Sequence, residues 1–139
     1  MDRSPLHLLH RVKQLAEDVF LSSVAGTTPR QFAVLVAIDE NEGASHQTLS
    51  ERTGIDRSTL AGIVRRLLLR NLVRRRRTDR DGRTYAVKLT SEGQRLLRQA
   101  EPLARNVDQR VLAALSAERR EHFLAMLSVI IQKLGPAQS

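Results

Sequence analysis

Apolar residues recur at three- and four-residue intervals through most of the chain, and the places where that rhythm fails mark its boundaries. Leu9, Val12, Leu15, Ala16, Val19 and Phe20 predict a helix over residues 5–22, with Pro5 in its first turn and Ser4 as its cap. Gly26-Thr27-Thr28-Pro29 interrupts the pattern. A second helix comes next over residues 29–40, carrying Phe32, Leu35, Val36 and Ile38, and residues 41–44 read as a loop. Ser45 is suited to cap a short helix over 46–53 anchored by Leu49. Gly54 ends it, Ile55 tucks inward, and Asp56 caps a longer helix over 57–70. There Leu60, Ile63, Val64, Leu67 and Leu68 form the buried stripe, while Arg57, Ser58, Thr59, Gly62, Arg65 and Arg66 fall outside it.

The period then shortens. Asn71 suits a left-handed helix end, and residues 72–78 read as a strand. Asp79-Arg80-Asp81-Gly82 is turn chemistry, with Asp-Gly a strong hairpin signal. Residues 83–89 return as a second strand, with Tyr85, Val87 and Leu89 on one face, and Thr90 is suited to cap a further helix. Two helices are predicted beyond it, over 91–113 and 117–134, the first with Pro102 inside it as an expected kink or loosened turn. Ser116 starts the second and Gly135-Pro136 stops it.

The sum is a mainly α chain with a small β-hairpin wing: a winged helix-turn-helix flanked by N- and C-terminal dimerisation helices. One domain spans 1–139, divided into a first helix and its loop (5–28), the winged lobe (29–90) and the C-terminal helices (91–135). The flanking helices are wide apolar surfaces with little local core to cover, so they are expected to bury each other and then a second copy of the chain.

Charge turns this outline towards a partner. The net charge is +8, and residues 65–83 hold nine arginines and two aspartates, so that window carries seven of those eight charges. A basic patch of this density points to polyanions, and arginine forks suit phosphates and base edges. Its leucines and its Asp-Gly turn make it a folded element, where a basic tail would have neither. Double-stranded DNA is the expected partner. RNA fits less well, because stacking aromatics make up only 3% of the chain. There are no cysteines, which excludes disulfides, thiolate zinc sites and cysteine redox sensing. The sequence has no apolar run of membrane-spanning length and no secretory h-region at its start. A cytoplasmic location, with the nucleoid when DNA is bound, is therefore expected. Ser, His and Asp residues occur in no triad-like setting and no glycine-rich phosphate loop is present, so neither an enzyme nor a cofactor is expected.

Three stretches carry a family resemblance: "TPRQFAVLVAI", then "TLSERTGIDRSTLAGIVRRLLLRNLVRR", then "DRDGRTYAVKLTSEG". In order and spacing they resemble the MarR (multiple antibiotic resistance regulator) family of transcription factors, over residues 5–134. The wing matches best, at Asp81, Gly82, Arg83, Leu89, Thr90 and Gly93. The resemblance implies a triangular homodimer that binds pseudo-palindromic operators, usually as a repressor. It also implies release by a small effector, often an aromatic acid or phenol, in some relatives an aromatic acyl-CoA thioester. The oxidant switch that some relatives build on cysteine is excluded here.

Each candidate DNA-binding residue has a plainer alternative. Arg83 would enter the minor groove at the wing tip, oriented by Asp81, with Arg80 and Arg76 nearby; an ordinary surface ion pair is the other reading. Arg57, Ser58 and Thr59 open the third helix where side chains and free N–H groups meet phosphates or base edges, and Arg65 and Arg66 lie further along. A solvated polar face would look the same. Ser45, His46 and Gln47 open the preceding helix, where phosphate contact and simple capping both fit. His7, His10 and Arg11, with Phe32 as an aromatic wall, are candidates for an effector pocket between the dimer base and the DNA lobe; core and interface roles fit them equally. His7 and His10 have no second ligand pair, so no metal is expected. A non-specific architectural DNA-binding protein, or an interaction module that kept the fold alone, are the competing functions.

Overall fold

The computed structural model describes residues 2–77 and 85–135. Among the described residues, six helices and one hairpin occur in chain order: α1 (Pro5–Ser23), α2 (Pro29–Glu40), α3 (His46–Thr53), α4 (Arg57–Leu69), β1 (Val73–Arg77), β2 (Tyr85–Leu89), α5 (Ser91–Leu112) and α6 (Ala117–Leu134). The caps account for these boundaries. Side chains of Ser4, Thr28, Ser45, Asp56, Thr90 and Ser116 each accept a hydrogen bond from a first-turn N–H of the helix they precede. Gly54 ends α3 at φ 73°, a left-handed position that glycine takes without the Cβ penalty. Asn71 does the same work after α4 at φ 59°.

The lobe core is aliphatic. Val34, Leu35 and Ile38 of α2, Leu49 of α3, and Leu60, Val64 and Leu67 of α4 are buried together with Val73, Val87 and Leu89 of the hairpin and Leu97 of α5. Each such side chain contributes roughly 1.5–3 kcal/mol by leaving water. Leu68, expected in the buried stripe, is only partly buried and packs against its edge.

The hairpin is antiparallel and pairs Val73 with Leu89 and Arg77 with Tyr85. Residues 41–44, expected as a plain loop, contribute a third contact to it. Ala44 bridges Val87, whose N–H donates to the Ala44 carbonyl at 2.9 Å, and Lys88 Nζ meets Glu42 Oε1 at 2.9 Å. The turn at 78–82 and Arg83, with the expectations placed on them, lie outside the described residues.

One expectation about the flanking helices is corrected, while α5 keeps its expected single span. Helix α5 continues through Pro102 as one element. The carbonyl that loses its helical donor there belongs to Arg98, an exposed residue. The flanking helices do not all bury each other. Phe20 and Val24 of α1 and its loop pack on Ala100, Ala104 and Val107 of α5. By contrast α6 has no buried residue. Arg120 anchors only its start, donating from Nε to the carbonyls of Leu112 and Leu115 at 3.0 and 2.9 Å.

Candidate nucleic-acid interface

Helix α4 has two unlike faces. Leu60, Ile63, Val64 and Leu67 are buried against the lobe, while Arg57, Ser58, Gly62, Arg65 and Arg66 are exposed and Thr59 is half-buried. The 3.6-residue period forces this division, because the apolar residues recur at three and four. Asp56 fixes the start of the helix. Its Oδ2 accepts from the Thr59 N–H at 3.1 Å and from the Ser58 hydroxyl at 2.9 Å. The Thr59 hydroxyl, then the Thr59 N–H and the Ser58 hydroxyl, hold its carboxyl well below the usual range, at about 2.

Helix α3 leads into the same surface. Arg57 Nη2 donates to Gln47 Oε1 at 3.2 Å, tying the first turns of α3 and α4 together. Ser45 Oγ accepts from the Thr48 N–H at 3.2 Å, so it acts as the cap. His46 is half-buried, and its Nε2 has no hydrogen-bond partner among the described residues. Burial, then the charges of Arg75 and Arg57, push its imidazole below the ordinary histidine value. Both effects favour the neutral imidazole, whose Nε2 is buried without a partner among the described residues.

On the hairpin the four arginines divide by face, as strand alternation requires. Arg75 and Arg77 share a face with Tyr85, their guanidiniums 5.1 and 5.9 Å from the centre of its ring. Arg76 lies on the opposite face with Arg74 and pairs Ala86. Of the candidate set, the structure therefore gathers Ser45, His46, Gln47, Arg57, Ser58 and Thr59 at one end of the α3–α4 unit. Arg65 and Arg66 extend along α4, and Arg76 lies on the wing. Arg80, Asp81 and Arg83 lie outside the described residues.

Two features were not legible in the sequence pattern. Arg30 and Gln31, in the first turn of α2, line a cleft of about 280 Å³ with Ser58, Thr59, Gly62, Ile63 and Arg66. The only sequence signal for Arg30 was its place just after Pro29 at a helix start. Arg70 closes α4 by reaching back to the α1–α2 loop, donating to the Gly26 carbonyl at 2.7 Å and to Gln31 Oε1 at 3.3 Å.

The expected effector residues are dispersed within one chain. His7 is half-buried near the start of α1, and His10 and Arg11 are exposed. Phe32 instead stacks at a tilt on Phe20, ring centres 5.8 Å apart, and joins the two apolar clusters. Phe20 lies ten residues beyond His10 on α1, about 15 Å along the axis. Among the described residues no group of His, Cys, Asp and Glu is arranged to hold a metal, and no helix is long and apolar enough to cross a membrane.

Known proteins share this arrangement. Residues 25–84 match the sequence profile of the MarR family. The transcriptional regulator HosA of Escherichia coli is 37% identical over 100 residues, covering 72% of this chain and 74% of that protein. The HTH-type transcriptional repressor NicR of Pseudomonas putida is 32% identical over 127 residues, covering 90% of this chain and 80% of that protein. The chain belongs to the MarR family.

Solved MarR-type structures match it along nearly its whole length. The PcaV transcriptional regulator of Streptomyces coelicolor, in complex with its natural ligand, superposes with a TM-score of 0.89 at 33% identity, covering 94% of each chain. BpsR of Bordetella bronchiseptica, whose DNA binding is regulated by 6-hydroxynicotinic acid, superposes with a TM-score of 0.84 at 28% identity, covering 89% of this chain and 96% of that one. The winged helix expected from the sequence is thus the MarR fold, and the chain is a DNA-binding transcriptional regulator by family.

Proposed function

We propose that this MarR-family chain is a homodimeric repressor that binds a pseudo-palindromic operator sequence-specifically and leaves it when a small effector binds. The observation that carries the reading is the outer face of α4. It presents Arg57, Ser58, Arg65 and Arg66 to solvent, while the opposite face is locked into the core. A helix held rigidly with its polar face uncovered is suited to the major groove, and the Arg-rich hairpin beside it to the neighbouring backbone and minor groove. Arg83 and Asp81 take the wing-tip roles in this reading.

The homodimer is supported by α6 and the first half of α1. Leu6, Val12 and Leu15, and then Met126, Val129, Ile131 and Leu134, are 46–83% exposed in one chain. Apolar area on that scale marks an interface. A two-fold pair would also supply two recognition helices about one DNA turn, roughly 34 Å, apart. An effector is supported by PcaV and BpsR, whose ligands are a natural ligand and 6-hydroxynicotinic acid. In this reading His7, His10, Arg11 and Phe32 line the effector site, with a second copy of the chain completing it. The preferred effector class is an anionic aromatic acid or its CoA thioester.

Selection of bound duplexes from random DNA tests the reading. The expected result is a two-fold symmetric motif, with Arg83→Ala weakening its binding tenfold or more while the dimer stays intact. Equal affinity for selected and random duplexes at moderate salt would mean an architectural protein instead. Failure to bind any duplex would mean that only the fold was kept.

A further inference from the structure

Gly62 stands in the middle of α4, on its exposed face, one turn after Ser58 and one turn before Arg66. Glycine is the poorest helix former after proline, so a mid-helix glycine calls for a reason. Crowding within the protein does not supply it. A Cβ built on Gly62 meets nothing within 4 Å. Its backbone does not take a positive φ, unlike Gly26, Gly43 and Gly54. By contrast a Cβ on Gly93 would overlap the Leu72 backbone, so at that position the protein itself demands glycine. At Gly62 the demand comes from outside.

The surroundings identify what approaches. Gly62 lines the cleft between the first turn of α2 and the outer face of α4. Its other lining groups are the Arg30 and Arg66 guanidiniums, the Ser58 and Thr59 hydroxyls, the Gln31 amide and the edge of Ile63. The lining holds two cations and no carboxylate, and among the described residues neither Arg30 nor Arg66 has an acidic partner within 4 Å. A missing side chain beneath paired guanidiniums and hydroxyls is the geometry of a close backbone approach to a phosphodiester.

We infer that Gly62 is a close-approach position and that the cleft above it seats one strand of the DNA backbone, with Arg30 of α2 and Arg66 of α4 clasping the phosphate from either side. The inference rests on the DNA-binding reading given above. It adds Arg30 to the interface and gives Gly62 a role that protein stability does not explain. A side chain there would leave the fold intact and hold the duplex away from α4.

That separation is the test. Full-length protein carrying Gly62→Ala, Gly62→Leu or Arg30→Gln is compared with the unaltered chain by thermal melting and by fluorescence anisotropy on a selected duplex across a salt series. Gly62→Ala is expected to melt several degrees higher, because alanine favours the helix, yet to bind the duplex about tenfold more weakly. Gly62→Leu is expected to keep the fold and bind about a hundredfold more weakly. Arg30→Gln should leave melting unchanged and reduce the slope of log K against log salt by about one. If the unaltered protein binds the duplex and both Gly62 variants bind it equally well, the close approach is wrong. If Arg30→Gln changes neither affinity nor salt slope, the clasp is wrong. If the unaltered protein binds no duplex at all, the DNA-binding reading itself has failed.

Discussion

Gly93 lies directly against the carbonyl of Leu72: a Cβ added to Gly93 would stand 2.0 Å from that oxygen. Thr90 secures the same junction, accepting from the Gly93 N–H at 3.0 Å while its hydroxyl donates to the Asn71 carbonyl at 2.7 Å. Together they fix the angle at which α5 leaves the wing and passes beside the end of α4. Gly93→Ala is therefore expected to destabilise the protein by roughly 3 kcal/mol, because the obstructing atom is backbone and cannot rotate away. Urea unfolding monitored by circular dichroism measures this. An unchanged midpoint would show that the helix slides without cost.

Asp56 offers a pH-dependent counterpart at the other end of the recognition unit. Its folded-state pKa is depressed to about 2 by the Thr59 and Ser58 bonds, against roughly 3.9 when unfolded. A depressed acid contributes stability above its unfolded value and loses it as pH falls through the folded one. Asp56→Ala should lower the urea midpoint at neutral pH, and the difference from the unaltered protein should shrink as pH falls from about 4 towards 2. A gap that persisted below pH 2 would assign the effect to something other than the charged cap.

If the α3–α4 end meets DNA, the half-buried His46 makes binding sensitive to protons. Burial and the nearby arginines keep it neutral in the free protein. The negative field of a DNA backbone laid against the first turns of α3 and α4 would favour the charged form, so binding would take up a proton. Duplex affinity is expected to rise as pH falls from about 8 to 6, across the ordinary histidine range. His46→Gln should flatten that dependence. A pH profile identical in the two proteins would remove His46 from the interface.

For the apolar face of α6, the expected outcome concerns assembly. Ile130 and Ile131 are 44% and 69% exposed in the single chain. The double change Ile130→Arg, Ile131→Arg should shift sedimentation from dimer to monomer and lower operator affinity a hundredfold or more, because a monomer grips one half-site. The unaltered dimer should also melt at a temperature that rises with protein concentration, and the variant should not. A dimer that survived both arginines would place the interface elsewhere.

The reach of the sequence depended on the length of each physical signal. Helix α4 was legible because thirteen residues repeat one apolar period after a strong cap, and its exposed polar side is the remainder. The Ala44–Val87 bridge was not legible, since a single residue pair leaves no period to read. Nor was the isolation of α6: an apolar stripe states that a helix needs cover, without saying which chain provides it. Arg30 was missed because its α4 partners in the cleft, Ser58 to Arg66, lie far along the chain, a proximity that only the packing of α2 on α4 creates. The effector residues faced the same limit, since Phe32 went to the core with Phe20 and left His7 and His10 at the far end of α1.

Tyr85, held beneath Arg75 and Arg77, is the chain's single tyrosine, and there is no tryptophan. Ultraviolet absorbance near 280 nm and intrinsic emission therefore originate in the wing alone. Once the absorbance of added duplex or effector is corrected for, a change in tyrosine emission reads the hairpin with no label and no background from the helices. The protein carries its own optical gauge on the hairpin.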